Sequence, residues 1–487
     1  MMAPDERPVV AVAGASGFVG REVGRVLGER LRLVALSRGA GDGLTGYGEA
    51  RACDLFSLKD AETALAGVDT AIYLVHSMLP SARLVQGRFQ DLDLICADNF
   101  ARAAERAGVR RIIYLGGILP RDTAKLSPHL ASRLEVERVL GGRTPRLTVL
   151  RAGLIIGAGG SSFEIMVRLV KRLPAMLAPR WTQTPAQPIA LADVVELLGH
   201  CVATPATAGE VYDIAGPEGV SYRGLMQRVG VALRKQRRIV PLPIITPRLS
   251  ALWITLITGA PRQLITPLIA SLHHEMLAGD RRLQEAAGIP GRGLDEAIAA
   301  ALTAPTPATP TAYVARKASS GGRGRWRGVR SVQRLRLPPG RDAAWVADEY
   351  IRWLPRGARP LLRVDRSDTH VRFFLRRTRR MLLELTPAPE RSQPDRQLLY
   401  VTGGLLAARD GRGRLEFREA PGDTILAAIH DFQPRLPWWI YRVTQALVHL
   451  WVMWRFGRHL DRVARTEPRT ASPAPLTPAA RPPPAAR

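Results

Sequence analysis

Gly14, Gly17 and Gly20 fall three residues apart in the segment AVAGASGFVG, residues 11–20. An apolar run, Val9 to Ala13, precedes them, and Val19, Val23, Val26 and Leu27 follow at helical spacing. A strand that turns through glycines into a helix lets backbone N–H groups close on a pyrophosphate, and the helix N-terminus adds partial positive charge. That context makes a dinucleotide the expected ligand, held by Gly14, Ser16, Gly17, Phe18, Val19 and Gly20. A second apolar run ends at Ser37 and Arg38. An acid there would accept hydrogen bonds from the ribose hydroxyls of NAD, whereas an arginine suits the 2′-phosphate of NADP. NADP is therefore expected ahead of NAD, with Arg32 assisting if it faces the same side. Asp54 and Leu55 follow the third run and are placed near the adenine. Val75, His76 and Ser77 follow the fourth run. Chain ends of parallel strands line the ligand crevice, so Val75 and His76 are assigned to the cofactor and Ser77 to the substrate.

The elements that must position these residues alternate. Apolar runs in LRLVALSRG, RACDL, DTAIYLVHSM, VRRIIYLGGI and RLTVLRAGLIIG are separated by helical stretches, among them FQDLDLICADNFARAAERAG and SPHLASRLEVERVLGG. Strands apolar on both faces require a parallel sheet covered on both sides, so the expected fold is α/β, a doubly wound parallel sheet, over residues 1–302. Ser162, Phe163 and Glu164, after the sixth strand, are candidates for the substrate wall. Arg180, Trp181 and Gln187 are candidates for shaping the same pocket. The apolar stretch 249–272, broken by Pro261, Arg262 and Pro267, is suited to capping a greasy pocket or to leaning on a membrane.

The spacing GASGFVG, CDL, YLVHSM and IIYLGG resembles the atypical short-chain dehydrogenase/reductases with NAD(P)-binding, NmrA-like domains. The resemblance covers roughly residues 7–300. It extends to bacterial proteins with HLxSRxEVExxL, SFE, PRW and QPI segments, present here as His129 to Leu140, Ser162 to Glu164, Pro179 to Trp181 and Gln187 to Ile189. The resemblance implies a Rossmann fold with a small substrate-side region. Members of the wider superfamily use a serine after the fifth strand and a Tyr-x-x-x-Lys pair on the next helix, where the tyrosine donates a proton to a carbonyl. This chain departs from that set. Gly116 and Gly117 stand where the serine is expected, and His129 and Arg133 occupy the i, i+4 positions of the pair. His129 is then the candidate general acid and Arg133 the group that binds ribose hydroxyls or phosphate. Three functions are compatible with these residues: an oxidoreductase on a small or lipophilic substrate, a non-catalytic NADP-binding sensor or accessory subunit, and a lipid- or quinone-binding protein.

Residues 303–328 are rich in Pro, Thr, Ser, Gly and Arg and read as a linker, and residues 467–487 as a disordered Pro/Ala-rich tail. Between them, residues 329–466 read as a C-terminal α+β domain. Its antiparallel strands, followed by a long helix, suggest a START-like helix-grip shape. The aromatic stretch 438–454 carries Arg442, Gln445 and His449. It is suited to packing against that sheet or, with Arg455, Arg458 and Arg462, to peripheral contact with a membrane surface rather than to spanning one. Net charge is +27, of which +19 lies in residues 301–487, with 34 Lys+Arg against 15 Asp+Glu. No helix-turn-helix or RNP-like pattern accompanies this charge, so nucleic acid is not an expected partner. No metal-ligand spacing stands out. Cys53, Cys96 and Cys201 form no CxxC pair and are expected as reduced core thiols. The start MMAPDERPVV has no apolar h-region, and the expected location is cytoplasmic, with membrane association as a variant.

Overall fold

The computed structural model describes residues 7–39, 44–77, 82–143, 145–235, 237–242, 247–305, 328–357, 362–408 and 413–466. The proposed linker, apart from its first and last few residues, and the C-terminal tail lie outside these. The chain divides into two compact units, residues 1–81 with 92–325 and residues 82–91 with 326–487.

In the first unit the predicted alternation is realised as β1 (Val9–Ala13), α1 (Phe18–Leu27), β2 (Arg32–Ser37), β3 (Glu49–Ala52), α2 (Leu58–Leu65) and β4 (Thr70–Tyr73). After the excursion β5 (Leu84–Gln86) come α3 (Phe89–Arg106), β6 (Arg111–Gly117), α4 (Pro128–Gly141), β7 (Arg146–Ala152), β8 (Ile155–Ile156) and α5 (Ser161–Arg172). The main sheet has seven strands in the order Val211–Ile214, β7, β6, β4, β1, β2, β3, all paired in parallel. The order reverses at β1, where β2 lies on one side and β4 on the other. This switch point opens the crevice in which open α/β sheets bind ligands. Val10, Val12, Ile72, Ile113 and Leu150 are buried with Val23 and Leu27 of α1 and with Val194 and Leu198 of the helix Leu191–Ala203. Helices thus cover the sheet, as its apolar strands demand.

The stretch SSFEIMVRLVKRLPAML, whose apolar spacing reads as one helix, does not stay helical to its end. The run ending PAML breaks from helix α5 into a strand, Ala175–Pro179, which pairs in parallel with Arg238–Leu242. Pro174 accounts for the break, because it pushes Leu173 out of the helical region, to φ −95° and ψ 126°. The stretch 249–272 forms two helices, Pro247–Thr258 and Arg262–Ser271.

The second unit is an eight-stranded sheet. Val329–Arg336 is followed by the helix Ala343–Gly357, then by six strands from Leu362–Arg366 to Thr424–Phe432, then by the helices Trp438–Val443 and Gln445–Thr466. The six strands form an antiparallel meander, and the last of them pairs with Val329–Arg336. Residues 82–91, read from sequence as part of the first domain, belong to this unit instead. Leu84–Gln86 adds in parallel to Val329–Arg336 and covers its open edge. Tyr350, Trp353, Phe417 and Phe456 fill the space between the sheet and its helices, with ring centroids 5.1 to 5.4 Å apart.

Candidate functional site

The glycine turn has the geometry its spacing predicts. Gly14 sits at φ +90°, and its carbonyl accepts from the Gly17 N–H at 2.8 Å. A Cβ on Gly20 would lie 2.3 Å from that carbonyl and 2.7 Å from the Ala15 Cα, so only glycine allows α1 to start this close to the turn. A Cβ on Gly17 would meet only the Gly14 oxygen, at 3.0 Å. Gly17 is also the N-cap of α1 and supplies no side-chain capping bond. The exposed Ser16 and Gly17 therefore leave the first amides of α1 facing outward, which is the cradle a pyrophosphate needs.

Around the turn, the predicted residues divide. Arg38 is exposed immediately after β2, and Ser37 donates to the Gly39 carbonyl at 2.7 Å. Arg32 does not assist. It starts β2, and five residues of strand, roughly 17 Å, separate it from Ser37. The Asp54 carboxylate accepts from the Phe56 N–H at 3.2 Å, forming an Asx turn, while the Leu55 carbonyl accepts from Asn99 at 2.8 Å. Val75 is half-buried and His76 exposed beyond β4. Sequence reasoning missed Arg21, whose guanidinium donates to the Ser16 carbonyl at 3.1 Å. A cation directly after Gly20, the last of the three glycines, was the available signal.

A cavity of about 180 Å³ opens at the carboxyl ends of β6 and β7, beside Gly117, Ala152 and Gly153. Ser162, Ile165, Met166 and Leu169 of α5 form one wall. Tyr222 and Met226, on the helix Tyr222–Ala232, form another, and Ile254, Ile265 and Ile269 roof it from the two-helix segment. The surface is mostly apolar. Its polar groups are His129, Ser162, Trp181, Tyr222 and Ser271. Phe18, the first residue of α1, packs against the N-terminus of α5, since a Cβ on Gly160, the N-cap of that helix, would lie 2.9 Å from the Phe18 ring.

His129 enters from the first turn of α4, where Ser127 caps the helix by accepting from the Leu130 N–H and Pro128 is the first residue. Its Nδ1 is buried with no hydrogen-bond partner among the described residues, and so is Trp181 Nε1. Burial, aided by the Arg133 charge and by His76, pushes the His129 pKa down to about 3. The ring is therefore neutral near pH 7, and the imidazolium that a general acid would require is not populated. Arg133 lies one turn on, and its guanidinium pairs with the buried Asp93 carboxylate. Burial opposes the Arg133 charge, but Tyr114 and Asp93 beside it hold its pKa above the ordinary value. Asp93 also accepts from the Ser132 hydroxyl at 3.0 Å and from the Ser77 N–H.

Of the substrate-side candidates, Ser162 and Trp181 line the cavity. Phe163 and Glu164 do not, because consecutive helical side chains diverge by about 100°. Phe163 packs in the core with Ile118 and Leu130, and Glu164 pairs with Arg168 at 3.2 Å. Ser77 is tied to Asp93, and Arg180 is exposed. Gln187 is structural, donating to the Gly216 carbonyl at 2.7 Å and accepting from the Ala278 N–H at 3.1 Å. Ser271 falls within the stretch 249–272 expected to cap the pocket, whereas Tyr222 and Met276 were missed. They lie about 95 to 150 residues beyond His129, and no local pattern announces their convergence.

No protein-family model matches the chain. It is 32% identical over 113 residues to the auxiliary protein GraX of Staphylococcus aureus, a stretch that makes up 23% of this chain and 37% of that one. The chain thus spans little more than a third of the length of this curated relative. Among solved structures, the triphenylmethane reductase of Citrobacter sp. superposes with a TM-score of 0.50 at 17% identity, covering 61% of this chain and all of that one. The NADPH-dependent quinone oxidoreductase QOR2 of Escherichia coli gives 0.48 at 18% identity, over 59% of this chain and 98% of its own. At such identities the likeness is one of fold. What is shared is a Rossmann-type parallel sheet covered by helices, in the first unit.

Proposed function

We propose that the chain is an NADP-dependent oxidoreductase acting on a small lipophilic acceptor of the carbonyl or quinone class. The observation that carries this reading is the apolar cavity at the carboxyl ends of β6 and β7, with His129 in its wall and with α5, which forms one side, packed at its N-terminus against Phe18 of the first helix. The turn fits a dinucleotide, since Gly14, Ser16, Gly17 and the first amides of α1 would hold the pyrophosphate and Arg38 the 2′-phosphate. When bound, the nicotinamide supplies a hydride. The chain's own residues orient the acceptor and exclude water. Ile165, Leu169, Ile254 and Ile269 bury its apolar body. A neutral imidazole polarises a carbonyl as a hydrogen-bond donor rather than as an acid, and His129 is suited to that role.

A second reading has its own support. Arg133 and Ser77 are both engaged by Asp93, and the serine and tyrosine of the usual set are absent, which favours a non-catalytic NADP-binding sensor or accessory subunit. The match to a protein named as auxiliary agrees with it. NADPH consumption with a panel of quinones and aldehydes separates the two. Turnover that Ile269→Trp suppresses by raising KM, with NADPH affinity unchanged, supports the enzyme. Tight NADPH binding without turnover on any acceptor supports the sensor.

A further inference from the structure

The helix Gln445–Thr466 buries only one of its faces. Ala446, Met453, Phe456 and Leu460 pack into the second unit's core. Leu447, Val448, Trp451 and Trp454 point the other way and are 56%, 58%, 48% and 57% exposed. Trp439 and Val443, on the short helix Trp438–Val443, are 72% and 57% exposed. Large apolar side chains at spacings of three and four thus form a bare stripe along consecutive turns. Guanidiniums border it. Arg455 lies over the Trp451 ring at 5.0 Å and Arg458 over the Trp454 ring at 5.1 Å. Arg435, Arg442, Arg462 and Arg465 are exposed nearby, and Asp461 is the one acid among residues 435–466.

We propose that this face docks the second unit onto the surface of an anionic phospholipid bilayer. Indole rings paired with cations at one level match the boundary between acyl chains and headgroups, where the ring is buried and the guanidinium meets phosphate. The charge balance selects this occupant over a second copy of the chain. A self-associated face would bring six arginines of each copy together, whereas an anionic leaflet neutralises them. No helix among the described residues is long and apolar enough to cross a membrane, so the stripe lies in the interface plane. The proposal is independent of the proposed oxidoreductase activity.

The test is co-sedimentation of the full chain with vesicles of phosphatidylcholine alone and of phosphatidylcholine mixed with phosphatidylglycerol. Binding is expected to be about tenfold or more stronger to the mixed vesicles and to weaken with added salt. The double substitution Trp451→Glu with Trp454→Glu is expected to lower that binding about tenfold or more, with Tm and helix content unchanged because both rings are half-exposed. Absence of binding to either vesicle overturns the proposal, as does binding that the double substitution leaves intact. So does a dimer, seen by light scattering, that the substitutions dissolve while vesicles bind nothing. Should the variant fail to fold, fluorescence quenching of the wild type by brominated lipids decides, and unquenched tryptophans reject the docking face.

Discussion

His129 stands one helical turn from Arg133, the partner of Asp93, yet His129 and Asp93 do opposite things with charge. Burial keeps His129 neutral, and its Nδ1 has no partner among the described residues, so a bound acceptor has an imidazole to meet. His129→Phe is expected to lower kcat/KM for the acceptor about a hundredfold, the lower end of what removing one hydrogen-bond donor to a developing oxyanion costs, while NADPH affinity stays the same. Steady-state kinetics beside calorimetry checks both. Asp93, by contrast, carries the charge that Arg133 needs. Asp93→Asn leaves a buried guanidinium, with a side chain 8% exposed, facing a neutral amide. Removing one partner of a buried pair costs about 3–5 kcal/mol, and a denaturant midpoint for the first unit would show it. A loss well under 1 kcal/mol would mean that water relieves the pair.

At the scale of elements, the turn from β1 into α1 sets how closely a nucleotide approaches the sheet. Gly20→Ala places a methyl group inside contact distance of backbone atoms that have nowhere to move, since Gly14 is itself bonded into the turn. The expected outcome is a destabilisation of about 1–3 kcal/mol together with loss of NADP binding, read by melting and by calorimetry. Gly17→Ala meets a single oxygen at 3.0 Å and faces outward. It should disturb binding far more than stability. Similar stability losses in both variants would show that the turn is merely tight and not a cradle. The two-helix roof, Pro247–Thr258 and Arg262–Ser271, works differently. It turns Ile254, Ile265 and Ile269 inward, so apolar character that looked like membrane affinity in sequence is partly spent inside the fold.

Across the whole molecule, acid should be the weak direction. His430 is fully buried, and burial, with Arg414 and Arg330 nearby, pushes its pKa down to about 3. Burial likewise lowers His449 to about 4, and His129 lies near 3. All three stand below the ordinary histidine value of about 6.5, so between that pH and their folded values the unfolded chain binds protons that the native chain refuses. Stability therefore rises with pH in this window and falls on acidification, by about 1.4 kcal/mol per pH unit for a single buried histidine. Below the carboxylate range Glu416 adds the same sign. Burial opposes its charge, but Arg396, bonded through both carboxylate oxygens at 3.1 and 3.0 Å, and Arg418 hold it well below the usual value. Melting curves from pH 7 to pH 4 should show the fall, and His430→Gln should make it shallower for the second unit. A melting temperature flat over that range would contradict the burial of these rings.

The amino-acid sequence by itself determined what depends on near neighbours in the chain. Glycine spacing, strand runs apolar on both faces and the helical stretch SPHLASRLEVERVLGG are local, and each led to the element now seen. The His129–Arg133 pairing was also legible, because i, i+4 positions share a face whatever the tertiary context. What that face meets was not legible. Asp93 claims Arg133 from 40 residues upstream, Tyr222 and Met276 reach the cavity from far downstream, and residues 82–91 leave one unit to complete the sheet of the other. Such contacts rest on long-range packing, which no local periodicity encodes. The charge state of His129 follows from the same packing, since a pKa answers to what surrounds the ring and not to where it stands in the chain.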